Sequence, residues 1–137
     1  MLKIIVNCVS YSILISSYLL MVSGCGSSPV VRLKDADNGA QKVMKIGQLL
    51  HVSLESNPTT GYSWEALEVD NSVLQMQGEA KFYANNDGVK GIPGAAGTDN
   101  FYFIAVDEGE TILEFVYRRA WQHAEPDRAF RFYVTVR

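Results

Sequence analysis

The chain has 137 residues, of which 47% are hydrophobic and 20% charged, and its formal net charge at pH 7 is −3. This length suits one domain with its own core and leaves no room for a second. A net negative charge gives no electrostatic support to nucleic-acid binding, so we expect no nucleic-acid partner.

Residues 1–24 have the pattern of a secretory signal peptide. Lys3 is their only charged residue, and a mostly apolar run from Ile4 to Val22 precedes a short stretch of small residues. The run also approaches the length that spans a bilayer, so a transmembrane anchor is the alternative. The residue that favours the signal peptide is Cys25.

Cys25 follows Val-Ser-Gly, and this sequence resembles the bacterial lipobox, in which the cysteine is acylated and becomes the first residue of the mature protein. We therefore expect a lipoprotein signal peptide over residues 1–24, a tether over 25–32 and one domain over 33–137. The chain would be exported and anchored in the bacterial cell envelope, on its periplasmic or surface side, by lipid such as palmitate on Cys25. Cys8 leaves with the signal peptide, so no disulfide can form within the mature chain.

From residue 30 onward, apolar residues recur with a period of two and turn residues come at short intervals, as is typical of β-strands. One or two strands are expected within residues 30–46, and a long, less regular strand is expected over 73–83 with a weak point at Gly78. The remaining predicted strands cover residues 50–55, 62–68, 101–106, 111–118 and 130–137. About seven short strands predict an all-β fold, an immunoglobulin-like antiparallel β-sandwich.

Three unusual connections are expected at one end of this sandwich. If consecutive strands run up and down, the connections over residues 56–61, 84–97 and 120–129 lie together, and the tight turns near 69–72 and 107–110 lie at the other end. Long connections are uncommon unless they are functional or disordered. We therefore expect the functional site at the end that carries these three connections.

The three connections differ in their chemistry. In the first, a proline, two β-branched threonines and a glycine restrict the backbone over residues 57–61. The second is rich in glycine and alanine, so that a partner could approach its backbone closely, although a flexible tip is the alternative. The third carries Trp121 beyond the end of a strand and beside arginines, and Trp and Arg are enriched at binding hot spots. Trp64, in contrast, is expected to lie in the core of the sandwich.

Three motifs resemble those of the chagasin family: Asn-Pro-Thr-Thr-Gly-Tyr-Ser-Trp at 57–64, Gly-Ala-Ala-Gly-Thr at 94–98 and Tyr-Arg-Arg-Ala-Trp at 117–121. That family consists of immunoglobulin-like inhibitors of papain-like cysteine peptidases, and the similarity covers most of residues 41–137. The resemblance implies reversible inhibition, in which loops 56–61, 84–97 and 118–129 occlude the active-site cleft. The residues that it implies contact the peptidase are Asn57, Pro58, Thr59, Thr60, Gly61, Gly94, Ala95, Ala96, Gly97, Arg119 and Trp121.

The resemblance also implies a role for each motif and shows two departures from the family. Thr59 and Thr60 would lie nearest the catalytic cysteine, with the glycine-rich loop along the cleft and the third motif beside it on the primed side. Ala120 stands where the family usually has proline, and Ala96 where a glycine is common. If the rigidity of the third loop contributes to binding, the absent proline lowers the affinity by about 1 kcal/mol. Ala96 matters only if its position requires a positive φ.

The sequence shows no arrangement suited to catalysis or metal binding. The two histidines are His51, within a predicted strand, and His123, within a loop, and neither is spaced with a nucleophile or with metal ligands. We therefore expect no enzymatic activity, no metal and no cofactor, in a protein that acts as a monomer. The alternative function is a lipid-anchored immunoglobulin-like binding module of the cell envelope without inhibitory activity.

Overall fold

The computed structural model describes residues 29–67, 69–85, 95–121 and 125–137. The predicted signal peptide, Cys25 with most of the tether, Gly94 and His123 lie outside the described residues. Within the described ranges, no helix is both long enough and apolar enough to cross a bilayer.

Nine β-strands form two sheets in the described part of the chain. The strands are β1 (Val31–Lys34), β2 (Gln41–Met44), β3 (Leu49–Ser56), β4 (Tyr62–Ala66), β5 (Leu74–Met76), β6 (Lys81–Ala84), β7 (Gly97–Ala105), β8 (Gly109–Arg119) and β9 (Arg128–Val136). One sheet has the order β1-β3-β7-β5, with β6 also pairing with β7, and the other has the order β2-β9-β8-β4. The helical segments of the described residues are two 3-10 turns of three residues each. This architecture confirms the predicted all-β sandwich.

The core lies between the two sheets and is filled by alternate residues of the long strands β3, β7, β8 and β9. Phe115 occupies its centre, with its ring 4.7 Å from that of Phe101 on the opposite sheet and 6.0 Å from that of Phe130. Trp64 is 7% exposed and belongs to the same cluster. Its position in the core is therefore as predicted.

Two pairings are parallel, which the expectation of an antiparallel sandwich did not include. β1 pairs with β3, and β2 pairs with β9, in parallel. The cause is the 3-10 turn Asp35–Asp37, which carries the chain from the edge of one sheet to the edge of the other between β1 and β2. β1 begins at Val31, inside the range expected for the tether.

The single strand predicted over residues 73–83 is wrong, because the chain forms two short strands there, β5 and β6. Both pair with β7, and Gly78 lies between them with φ +72°. This left-handed conformation cannot belong to a regular strand. The Gln77 N–H still donates to the Tyr102 carbonyl at 2.7 Å, so the break remains attached to β7. This split and the division of the first segment into β1 and β2 give nine strands where about seven were expected.

The pairing register brings the three unusual connections together. Ser56 at the end of β3 pairs with Gly97 at the start of β7, so the first and second connections adjoin. Tyr62 at the start of β4 pairs with Arg119 at the end of β8, so the first and third connections adjoin. The described parts of all three therefore lie at one end of the sandwich, as predicted.

Candidate functional site

Residues 57–61, which we call the first turn, are closed by their own hydrogen bonds. The Asn57 side-chain oxygen accepts from the Thr59 N–H at 3.3 Å and from the Thr59 hydroxyl at 2.6 Å. The Thr60 hydroxyl donates to the Asn57 carbonyl at 2.7 Å, and the Gly61 N–H donates to the Pro58 carbonyl at 3.0 Å. Because both threonine hydroxyls donate within the turn, its shape is fixed before any partner binds. Pro58, Thr59 and Thr60 form its exposed surface.

The first turn is attached to the core through two aromatic residues. The Tyr117 hydroxyl accepts from the Asn57 N–H at 3.0 Å, and the Trp64 indole donates to the Glu55 carbonyl at 2.8 Å. The rings of Trp64 and Tyr117 are 5.1 Å apart, and the ring of Tyr62 stacks on Tyr117 at 5.3 Å. The position of the turn is therefore set by side chains that are packed in or against the core.

The third connection supports the first turn as well as presenting its own surface. Trp121 is 67% exposed, as expected of a binding residue. Its ring lies against Gly61 so closely that a Cβ at that glycine would come within 2.6 Å of the Trp121 Cη2. Arg119 donates from Nε to the Thr60 carbonyl at 3.2 Å and places its guanidinium 4.6 Å from the ring centre of Tyr62. Arg119 and Trp121 thus both contact the first turn.

Only the two ends of the second connection, residues 84–85 and 95–97, lie within the described residues. The Asn85 N–H donates to the Ala96 carbonyl at 2.9 Å, which closes the root of the connection. The described residues include no non-glycine residue with a positive φ, so Ala96 adopts an ordinary conformation. Gly97 is buried in β7, and a Cβ there would come within 2.5 Å of the ring of Phe82. Gly97 therefore allows close packing at the root of the connection. Of the residues predicted to contact the peptidase, Ala95 and Ala96 are the described ones of this connection that are partly or fully exposed.

Sequence reasoning missed Arg128, the first residue of β9. Its guanidinium lies 4.4 Å from the ring centre of Tyr117 and 5.2 Å from that of Trp64. It also donates from Nη2 to the Glu55 carbonyl at 2.9 Å. These partners come from three other strands, and Glu55 is 73 residues away along the chain, so no local pattern marks the role of Arg128.

The described residues place no three His, Cys, Asp or Glu side chains where they could hold a metal ion together. His51, in the middle of β3, forms a 2.7 Å hydrogen bond with the Asn100 side chain and stacks on Tyr102 at 4.7 Å. These contacts give His51 a structural role. The arrangement at the site, a closed turn beside an exposed tryptophan, is suited to binding a surface.

Comparison with known proteins agrees with this description. A sequence model described as "Chagasin family peptidase inhibitor I42" matches residues 43–136. The chain is 29% identical to Chagasin of Trypanosoma cruzi over 96 residues, which cover 66% of this chain and 82% of that protein. It is 30% identical to Amoebiasin-1 of Entamoeba histolytica over 104 residues, which cover 76% of this chain and 97% of that protein.

Solved structures share the same fold. EhICP2, a cysteine protease inhibitor from Entamoeba histolytica, superposes with a TM-score of 0.70 at 21% identity, over 80% of this chain and all of its own. PbICP-C, solved in complex with falcipain-2, superposes with a TM-score of 0.58 at 16% identity, over 81% of this chain and 93% of its own. At these identities the two likenesses establish a common fold.

Proposed function

Because the chain belongs to the chagasin family of peptidase inhibitors, we propose that it inhibits papain-like cysteine peptidases reversibly by covering their active-site cleft. The family is one of inhibitors, so the chain is not an enzyme. EhICP2, which shares the fold, is a cysteine protease inhibitor, and this supports the class of peptidase. The observation that carries the proposal is the packing of the exposed Trp121 against the closed first turn at one end of the sandwich.

The shape of the first turn explains how it would fill a cleft without being cut. A peptide that lies in a protein groove as a substrate strand is extended, with its backbone groups available for pairing. Here the bond from the Gly61 N–H to the Pro58 carbonyl curls the backbone into a 3-10 turn. Thr59 and Thr60 would cover the catalytic cysteine and histidine, and no peptide bond would lie in register for attack.

The flanking connections would extend the covered area on both sides of the turn. Trp121 offers a large, mostly exposed ring that is already held in place by Gly61, so little freedom is lost when it binds on the primed side. The short side chains of Ala95 and Ala96 let the wall of the cleft approach the backbone on the other side. Gly94 would allow the same close approach, and Gly97 would keep the root of the connection tightly packed.

We also propose that the chain is exported and held in the bacterial cell envelope by lipid on Cys25, and that it acts as a monomer. The lipidation proposal rests on Val-Ser-Gly-Cys at the end of an apolar run with a single positive charge before it. Attachment at Cys25 would leave the inhibitory domain outside the membrane on a short tether.

The test is a titration of residues 26–137, which include every strand of the sandwich, into active papain. Hydrolysis of a peptide substrate is expected to fall linearly and to stop near one equivalent of the fragment. Thr60→Ala and Trp121→Ala should each weaken inhibition, whereas Tyr133→Ala, an exposed aromatic in the middle of β9, should not. If micromolar fragment leaves papain fully active, the proposal fails and the binding-module alternative takes its place.

A further inference from the structure

We propose that Arg128 is a positioning residue for the first turn. It would hold the Glu55 carbonyl, two residues before Asn57, in the orientation that a bound peptidase requires. The inference rests on the proposed function and adds a residue that lies outside the three motifs.

The backbone of Glu55 is held by side chains at both of its polar atoms. Its N–H donates to Asp35 Oδ2 at 2.9 Å. Its carbonyl accepts from Trp64 Nε1 at 2.8 Å and from Arg128 Nη2 at 2.9 Å. A carbonyl oxygen has two lone pairs, so these two donors satisfy it. The backbone is therefore held in place where the chain passes from β3 into the first turn.

Arg128 also contacts the other attachment of the turn. Its guanidinium lies over the ring of Tyr117, whose hydroxyl accepts from the Asn57 N–H. The same guanidinium lies beside the ring of Trp64. A single side chain therefore contacts both aromatic residues that hold the turn, and it does so with a planar, charged group that stacks and hydrogen-bonds at the same time.

Because Arg128 lies at the surface, its effect on the position of the first turn can be measured separately from any effect on folding. Its side chain is 41% exposed, and its ion pair with Asp35 is long at 3.9 Å, so the core does not depend on it. Without the guanidinium, the Glu55 carbonyl keeps the bond from Trp64 but loses a charge-assisted bond, and the turn gains freedom. Binding a peptidase must then restrict that freedom again, and the complex dissociates faster.

The experiment compares three variants of the full chain in mild detergent, with papain as the target. Arg128→Gln should keep an endpoint of one equivalent in the titration and raise the inhibition constant about tenfold, mainly through a faster dissociation rate. Arg128→Lys should weaken inhibition less than Arg128→Gln but still measurably, because an ammonium group has neither the several N–H donors in one plane nor the flat surface of a guanidinium. The matched control is Arg131→Gln on the same strand. Arg131 pairs with Glu114 at 2.9 Å, and its loss should leave the inhibition constant unchanged.

Three outcomes would overturn the proposal. The first is an inhibition constant for Arg128→Gln equal to that of the unsubstituted chain. The second is an equal loss of inhibition in Arg131→Gln. The third is a titration endpoint above one equivalent with an unchanged inhibition constant, because it would mean that Arg128→Gln merely unfolds part of the sample.

A failure of the proposed function would look different, because the unsubstituted chain would then not inhibit papain at all. Amide hydrogen exchange would in that case decide the positioning role by itself. The Asn57 and Thr59 N–H groups should exchange faster in Arg128→Gln than in the unsubstituted chain and in Arg131→Gln. Equal exchange in all three would overturn the proposal.

Discussion

Gly61 meets two requirements that a residue with a side chain cannot meet together. Its φ is +79°, and a Cβ would come within 2.6 Å of the Trp121 ring. We therefore expect Gly61→Ala to lower the free energy of unfolding by about 1–2 kcal/mol through backbone strain. It should also raise the inhibition constant at least about tenfold, because Trp121 and the first turn must move apart. Chemical denaturation and papain titration measure the two effects.

Gly47 provides the matched control for that substitution. Its φ of +78° is almost the same, but a Cβ there would meet nothing within 4 Å, and it lies between β2 and β3. Gly47→Ala should therefore cost a similar free energy of unfolding and leave the inhibition constant unchanged. If both alanines weakened inhibition equally, the contact between Gly61 and Trp121 would have no part in binding.

The roles of single residues could be predicted where the pattern that marks them lies in their neighbours along the sequence. The restricted backbone of residues 57–61, the buried Trp64 and the exposed Trp121 all follow from their neighbours in the sequence and from the ends of predicted strands. Arg128 could not be found in this way, because its function depends on a carbonyl 73 residues away and on two rings from other strands. Only the register of the folded sheets brings these groups together.

Among the elements, the third connection carries one of the two departures from the family pattern, at Ala120. Ala120 lies just beyond the end of β8, and Arg119 before it is in a strand, the extended conformation that a following proline favours. Ala120→Pro should therefore restrict the free connection and improve affinity by about 1 kcal/mol. Ala120→Gly should change affinity in the opposite direction, since it adds freedom. Dissociation rates from papain test both, and a weaker complex with the proline would contradict the expectation.

The turn between β4 and β5 provides a pH-dependent element outside the three connections. The Asp70 carboxylate accepts from the Ser72 hydroxyl at 2.6 Å and from the Ser72 N–H at 2.9 Å. These bonds favour the charged form, the hydroxyl most, and hold the pKa of Asp70 below its ordinary value of 3.8. Because the folded-state pKa is depressed, the stabilisation is complete above the unfolded-state pKa and is lost as the pH falls through the folded-state value.

Titration of the Asp70 carboxyl by NMR measures this effect directly. Ser72→Ala should raise the pKa of Asp70 towards its ordinary value, because the dominant bond is removed. The same variant should inhibit papain as strongly as the unsubstituted chain, since this turn takes no part in the proposed site. A pKa that does not change in Ser72→Ala would show that the Ser72 hydroxyl is not the cause.

Whole elements were predictable where the period of two is unbroken. β3 and β9 were located by alternating apolar residues, and the up-and-down order of the predicted strands then indicated the end of the sandwich at which the site lies. The division of residues 73–83 into β5 and β6 was missed because Gly78 turns the backbone without interrupting the composition. The parallel pairings at the two sheet edges were not predicted, because the sequences of two strands do not show whether the chain crosses from one sheet to the other between them.

At the scale of the whole molecule, the chain enters the sandwich at the end opposite the site. β1 runs parallel to β3, and β3 ends at the first turn, so β1 begins at the far end. There the Gln48 side chain donates to the Pro29 carbonyl at 2.6 Å. Eight residues of β3 extend roughly 26 Å between the two ends. Cys25 is four residues before Pro29, so a lipid on it would leave the first turn facing away from the membrane.

This orientation leads to a prediction about the anchored chain. Labelled palmitate should enter the unsubstituted chain and Cys8→Ser but not Cys25→Ser, because only Cys25 follows the lipobox-like sequence. Membranes that carry the labelled chain should inhibit added papain with the same inhibition constant as residues 26–137 in solution, because the site is turned outward. Label retained in Cys25→Ser would exclude lipidation at that residue. Inhibition by the fragment but not by the anchored chain would show that the membrane blocks the site, contrary to the direction in which β1 enters the fold.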